Sequence, residues 1–148
     1  MLSDSNFIKI AQEIASASKC VSKQVGAVIV KEGRILSTGY NGTPAGYINC
    51  CEYWDGVYTK DHHEWSKTFE IHAEMNAIIW AARKGISIEG ATIYVTLEPC
   101  SDCSKNIIAS GIKRIVYLRA YEHNHSEVIS KFIKDNGVII EKIGELNG

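Results

Sequence analysis

An α/β fold of three layers, with helices on both faces of a five-stranded mixed sheet, is the architecture this sequence predicts. Segments with helical spacing alternate with short apolar runs in the order αββαβαβαβ. The first two apolar runs are joined by the tight turn Lys31-Glu32-Gly33, which makes an antiparallel hairpin. Helices separate the later strands, so these run parallel through right-handed crossovers. At 148 residues and 45% hydrophobic composition, with no internal repeat or low-complexity stretch, the chain is expected to form one domain, residues 1–148, around one core.

Phe7, Ile10, Ala11 and Ile14 recur on one helix face, which predicts an amphipathic helix over about residues 5–19, capped by Ser3, Asp4 or Ser5. Val25-Gly26-Ala27-Val28-Ile29-Val30 is apolar enough for a buried strand, and Arg34 to Tyr40 returns beside it. Between Asn41 and Ile71, glycine, aromatic, histidine and charged residues follow no period. A loop of that length inside a compact domain is usually functional. Met75, Ile78, Ile79 and Ala82 mark one face of a helix beginning at His72. Ala77, Trp80 and Ala81 make its other faces apolar, so it is expected to be buried all round and to end near Gly85. Ala91 to Leu97 forms the next strand, Cys100 to Ser110 a helix stopped by Gly111, and Arg114 to Leu118 a strand. Residues 126–136 form a helix closed by Asn136-Gly137, and Val138 to Ile143 a last strand.

Sixteen Lys and Arg against seventeen Asp and Glu argue against broad binding to a nucleic-acid backbone and favour a small substrate. The start, Met1 to Lys9, lacks the basic and apolar regions of a signal peptide, and no stretch approaches the roughly 18 apolar residues of a membrane span. A cytoplasmic location without membrane contact is expected. There the five cysteines, 20, 50, 51, 100 and 103, suit metal binding better than disulfides.

The chemistry concentrates in His72-Ala73-Glu74 and, 25 residues after Glu74, Pro99-Cys100-Ser101-Asp102-Cys103. Cys100 and Cys103 are spaced i, i+3 at a helix start, so both sulfurs project from one face, and the positive end of the helix dipole favours their thiolates. Two thiolates and a neutral imidazole make a zinc site of zero net charge with three protein ligands, and the fourth position is left to water. Such coordination lowers the pKa of water from 15.7 to about 7. Glu74 is too near His72 in sequence to be a comfortable fourth ligand, and well placed to act as general acid and base. That chemistry is hydrolytic deamination of an amidine-like carbon. Cys-x-x-Cys alone fits a redox dithiol or half a structural zinc site, and His-x-Glu alone fits a helix surface. Together, at the starts of successive helices with one strand between, they form a spacing already known as the signature of zinc deaminases.

On these motifs the chain resembles the zinc-dependent cytidine deaminase superfamily and, within it, the deoxycytidylate (dCMP) deaminases of bacteriophage type. The likeness runs from about residue 5 to residue 143. It includes Val25-Gly26-Ala27-Val28-Ile29, Gly39-Tyr40-Asn41-Gly42-Thr43-Pro44, Asn49-Cys50-Cys51-Glu52 and Ile71-His72-Ala73-Glu74-Met75-Asn76-Ala77-Ile78. The resemblance implies a cytidine deaminase-like sandwich that converts dCMP and water into dUMP and ammonia, with Glu74 shuttling protons, and so feeds thymidylate synthesis. It implies that the base lies against Val25-Gly26-Ala27, that the Ala73 N–H holds a ring carbonyl, that Asn41 meets the sugar hydroxyl and that Tyr121 sits near base or phosphate. The phosphate needs a cation, and Lys23 is the first candidate; a solvated lysine is the bland alternative. Asn41, before glycine, also fits a simple turn.

The same resemblance implies a second, structural zinc held by Cys20, Cys50, His62 and Glu70, a closed set of four donors that staples the long loop to the first helix. The bland alternative is small buried cysteines and surface histidines. It further implies a homohexamer, located in the host cytoplasm if phage-encoded. Activation by dCTP and inhibition by dTTP with Mg²⁺ would act at a site involving Gly39, Tyr40, Asn41 and Gly42. Other nucleobase or nucleoside deaminases, a tRNA adenosine deaminase among them, and a non-enzymatic zinc module are the alternatives that share the zinc residues. A tRNA adenosine deaminase calls for a more basic surface than this composition offers. A non-enzymatic zinc module fills every ligand position with protein and has no work for Glu74.

Overall fold

The computed structural model describes residues 1–55, 61–121 and 127–144. Its elements are α1 (Asp4–Ala15), β1 (Gly26–Lys31), β2 (Arg34–Tyr40), α2 (Cys50–Tyr53), α3 (His62–Phe69), α4 (Ala73–Lys84), β3 (Thr92–Leu97), α5 (Ser101–Ala109), β4 (Arg114–Arg119), α6 (Glu127–Asp135) and β5 (Ile139–Lys142). The sheet has the order β2-β1-β3-β4-β5, and β1 runs antiparallel to both β2 and β3. The pairs β3–β4 and β4–β5 are parallel. The mixed five-stranded sandwich expected from the pattern is the fold observed.

Alternation along the strands divides the core between the two faces. Val28, Val30, Tyr94 and Val116 meet Phe7, Ile8 and Ala11 of α1 on one face. Ala27, Ile29, Ile93, Val95 and Ile115 meet Ala73, Ala77, Ile107 and Ile133 of α4, α5 and α6 on the other. At the hairpin turn Glu32 and Gly33 both have positive φ, 54° and 75°, the twist that a two-residue turn needs to join paired strands. Two other glycines permit backbone contact between layers. A Cβ on Gly26 would collide with the Ala11 carbonyl of α1, and one on Gly39 with the Ala73 carbonyl and Ala77 N–H of α4.

Three features depart from the sequence expectation. Helix α1 ends at Ala15 rather than near residue 19, because the chain beyond it is committed elsewhere. Ser18 donates its hydroxyl to the Asn41 carbonyl, and Cys20 turns towards His62 and Glu70. The segment 41–71 is not wholly irregular: it contains α2 and α3, while residues 56–60 lie outside the described set. Helix α2 spans four residues and is held by reciprocal capping between Asn49 and Glu52. Helix α3 spans eight and buries His62 and Trp65, one turn apart. Helix α4 is not buried all round: Ile79 and Trp80 are 40% and 45% exposed, and Lys84 and Arg83 lie over the Trp80 ring. Helix α6 is described over Glu127–Asp135, and the expected start at position 126 lies outside the described residues. No described helix is long and apolar enough to cross a membrane.

Candidate active site

His72 and Cys100 are both N-cap residues, of α4 and α5 respectively, with extended backbones that turn their side chains across the helix starts. Cys103 lies one turn into α5 and is buried. The His72 Nδ1 is 3.2 Å from the Cys103 Sγ and 3.6 Å from the Cys100 Sγ, and all three donor atoms lie within 4.8 Å of one another. Tetrahedral zinc, with Zn–S about 2.3 Å and Zn–N about 2.0 Å, requires donor separations of about 3.5–3.8 Å. These residues therefore fit zinc by donor chemistry and by spacing.

The electrostatics are those of a site built for a cation. A hydrogen bond from the Cys103 thiol, with another from His72, brings the Cys100 thiol down to about 4, into thiolate territory near neutral pH. The bond to Cys100 and burial push Cys103 up. The Cys100 bond also raises His72. Glu74 is 4% exposed in the first turn of α4, and burial raises its carboxyl above the usual carboxylate range. A buried proton acceptor beside three metal donors is the arrangement acid–base chemistry needs.

The second expected set is also brought together. Cys50 Sγ is 3.1 Å from His62 Nε2, Cys20 Sγ is 3.6 Å from Glu70 Oε1 and 3.8 Å from His62 Nε2, and His62 Nε2 is 3.8 Å from Glu70 Oε1. Cys50, His62 and Glu70 are buried, burial pushes the Cys50 thiol up to about 12, and Glu70 Oε2 is a buried oxygen without a hydrogen-bond partner. Four donors converging on one point, one with an orphaned oxygen, have the composition and spacing of a closed zinc site.

The remaining expected residues divide. Lys23 and Tyr121 meet, the ammonium 4.8 Å from the ring centroid, on the wall of an open cleft of ≈ 640 Å³ that Gln24, Thr96 and Arg119 also line. Lys23 is close enough to His72 to act on it electrostatically. Ala73 is the first residue of α4, so its N–H has no partner within the helix, although its side chain has no exposed surface. Ala27 also has none: it closes the core rather than lining the cleft, and the close approach at Gly26 is to α1. Asn41 is only 8% exposed, and its amide accepts from Val25 N–H at 2.8 Å and donates to the Lys23 carbonyl at 3.0 Å. It pins the turn that carries Lys23. Gly39 seats α4, and Gly42 exchanges two backbone hydrogen bonds with Ile71, the residue before His72. Tyr40 and Gly42 line a cavity of ≈ 500 Å³ that reaches Glu70, and the buried Thr43 Oγ1 in its wall has no hydrogen-bond partner.

Two of the buried polar residues not singled out from sequence, Thr96 and Glu98, lie at the end of β3 beside the site. Thr96 Oγ1 accepts from Gly26 N–H at 3.2 Å, and Glu98, 8% exposed, accepts from Tyr121 N–H at 3.1 Å. Their signal was present: hydroxyl and carboxylate interrupting an apolar strand just before Pro99-Cys100.

With that geometry established, comparison with known proteins defines the class. The family described as the cytidine and deoxycytidylate deaminase zinc-binding region matches residues 1–119. The chain belongs to this family of zinc-dependent deaminases, and its place within it is with the dCMP deaminases of bacteriophage type. It is 48% identical to the deoxycytidylate deaminase of Enterobacteria phage T4, over 81% of this chain and 79% of that protein. Identity to the deoxycytidylate deaminase of Enterobacteria phage T2 is 43%, over 97% and 93%. The crystal structure of the cyanophage S-TIM5 dCMP deaminase in complex with dCMP and dUMP superposes with a TM-score of 0.75 at 36% identity, covering 93% of each chain.

Proposed function

We propose that this protein deaminates dCMP to dUMP and ammonia by zinc-dependent hydrolysis, with Glu74 as the proton carrier. The observation that carries this reading is the buried Glu74 carboxyl beside the His72, Cys100 and Cys103 donors. Zinc, held by those three residues, supplies the Lewis acidity that makes water nucleophilic near neutral pH. Glu74 takes a proton from the water and delivers it to the ring nitrogen next to C4; a new C4–O bond forms. Glu74 then carries the second proton to the departing amino group, the C4–N bond breaks and ammonia leaves. The Ala73 N–H, at the positive end of α4, orients the pyrimidine carbonyl. Lys23, fixed by Asn41, attracts the phosphate, with Tyr121 beside it. Ammonia release measured across dCMP, deoxycytidine, dCTP and single-stranded DNA tests this: dCMP is expected to be strongly preferred. Equal turnover of deoxycytidine removes the phosphate from the reading, and no release from any substrate overturns it.

The finer reading extends to the second cluster and to regulation. Cys20, Cys50, His62 and Glu70 hold a structural zinc, and the protein works in the cytoplasm as a homohexamer supplying dUMP for thymidylate synthesis. The cavity beside Tyr40 and Gly42 takes dCTP as activator or dTTP with Mg²⁺ as inhibitor. What supports this control is continuity: Gly42 is bonded to Ile71, and Gly39 touches the first turn of α4. A nucleotide that prefers one position of that loop therefore biases the helix start that carries His72 and Glu74. Hyperbolic dCMP kinetics unmoved by either triphosphate would count decisively against it.

A further inference from the structure

Between the metal donors and the cleft wall lies a carboxylate that the mechanism above does not use. Glu98 is the residue after β3 and two before Cys100, and it is 8% exposed. Its backbone N–H donates to the Arg119 carbonyl at 2.8 Å, continuing the parallel pairing of β3 with β4 by one step. Its side chain then reaches further along the neighbouring chain, where Oε1 accepts from the Tyr121 N–H at 3.1 Å. Both ends of Glu98 therefore grip the segment that leaves β4, one through backbone and one through carboxylate. That segment has no regular element of its own at Ala120 and Tyr121. The Tyr121 ring in turn receives the Lys23 ammonium at 4.8 Å.

We infer that Glu98 is a positioning residue for substrate binding: its carboxylate latches Tyr121 and, through that ring, sets Lys23 at the cleft where the nucleotide's phosphate is received. A helix or strand would have fixed the Tyr121 N–H by its own ladder; here a side-chain acceptor takes that N–H in place of the next rung. The pairing also joins the two halves of the site, because Glu98 leads directly into Pro99 and Cys100. The position of the phosphate-binding side of the cleft is thereby referred to the same loop that holds the metal donor. This inference rests on the dCMP reading above.

The test is a comparison of Glu98→Ala and Glu98→Gln with the wild-type holoenzyme, with zinc per chain measured in each. Glu98→Gln keeps a carbonyl oxygen that can accept from Tyr121, and Glu98→Ala removes that acceptor while keeping the backbone bond to Arg119. The alanine variant is expected to raise KM for dCMP about tenfold, the scale of one lost hydrogen bond to a charged acceptor. Its kcat and zinc content are expected to stay near wild type, and glutamine should restore most of the affinity. Equilibrium binding of dUMP should weaken in parallel. A second variant makes the coupling explicit: in Lys23→Met, the further change Glu98→Ala should raise KM by much less than tenfold, because the cation it positions is already gone. A lower melting temperature with unchanged KM and dUMP affinity, or fully additive effects with Lys23→Met, overturns the inference. Failure of the wild-type protein to deaminate dCMP would overturn the functional reading instead, and the two outcomes are separated by the wild-type control.

Discussion

The two donor clusters use similar atoms in opposite settings. In the first, His72, Cys100 and Cys103 are presented by the starts of two helices that belong to the core, and a carboxyl that is not a donor, Glu74, is buried against them. In the second, Cys20, Cys50, His62 and Glu70 come from the stretch after α1, a four-residue helix, an eight-residue helix and the residue after it. There the carboxylate is itself a donor. On the proposed reading, three donors on core helices would leave a coordination position for chemistry, and four donors gathered from short helices and the chain between them would fill the shell and hold that segment in place. On that reading the same residue types would divide into a working site and a clasp, according to whether the fold or the metal does the organising.

The largest effect should come from the carboxyl that distinguishes the first cluster. Glu74→Gln is expected to lower kcat by at least about 10²–10⁴-fold while zinc at His72, Cys100 and Cys103 is retained, as read by ammonia release and metal analysis on the same sample. Survival of activity would break the contrast between the clusters. Next, Cys50→Ser should drop zinc from about two equivalents per chain to one and destabilise the protein by about 3–5 kcal/mol, since it leaves buried donors unpartnered. Calorimetry with metal analysis checks both, and one equivalent in fully loaded wild type would dissolve the comparison.

Smaller effects sharpen it. Gly39→Ala forces β2 and α4 apart at the Ala73 carbonyl, so a loss of about 1–3 kcal/mol is expected, with kcat reduced but the second equivalent of zinc unaffected. Asp4 belongs to neither cluster and serves as the control. Arg114, bonded to it at 2.7 Å, holds the Asp4 carboxyl down to about 2 from 3.8. A depressed carboxylate contributes stability that is present above its unfolded value and lost as pH falls through 3.8 towards 2. The Asp4 side chain is 40% exposed, so solvent screening limits the contribution to about 1 kcal/mol or less. Asp4→Asn should flatten the acid limb of a melting-temperature profile by that small amount without changing zinc content or KM.

What sequence disclosed follows the same division. The starts of α4 and α5, and with them His72, Glu74, Cys100 and Cys103, were legible because local periodicity and cap chemistry specify where those helices begin. Helices α2 and α3 escaped notice because four and eight residues are too few for a period to emerge, and their order depends on aromatic packing among Tyr53, Trp54, Trp65 and Phe69. The gathering of Cys20 with Glu70, 50 residues apart, was available only through resemblance, since no local rule links them. Asn41 and Glu98 were obscured for another reason: each holds a backbone N–H from a distant segment, and which one is a tertiary fact. The all-round apolar reading of α4 failed at Trp80 because basic side chains one turn away can cover an aromatic ring at the surface.

The contact at Gly39 has a bearing on how far this sequence can drift. The first turn of α4 rests on β2 through main-chain atoms, with Ser37 adding a 2.7 Å bond to the Ala77 carbonyl. That main-chain contact sets the closest approach of α4 to β2, beside the packing of Ala73 and Ala77 on the sheet. Exchange of isoleucine for valine or leucine at sheet positions away from Gly39 is expected to leave the Glu74 carboxyl in register with His72, Cys100 and Cys103. Such a mounting allows the interior to diverge and the chemistry to stand still.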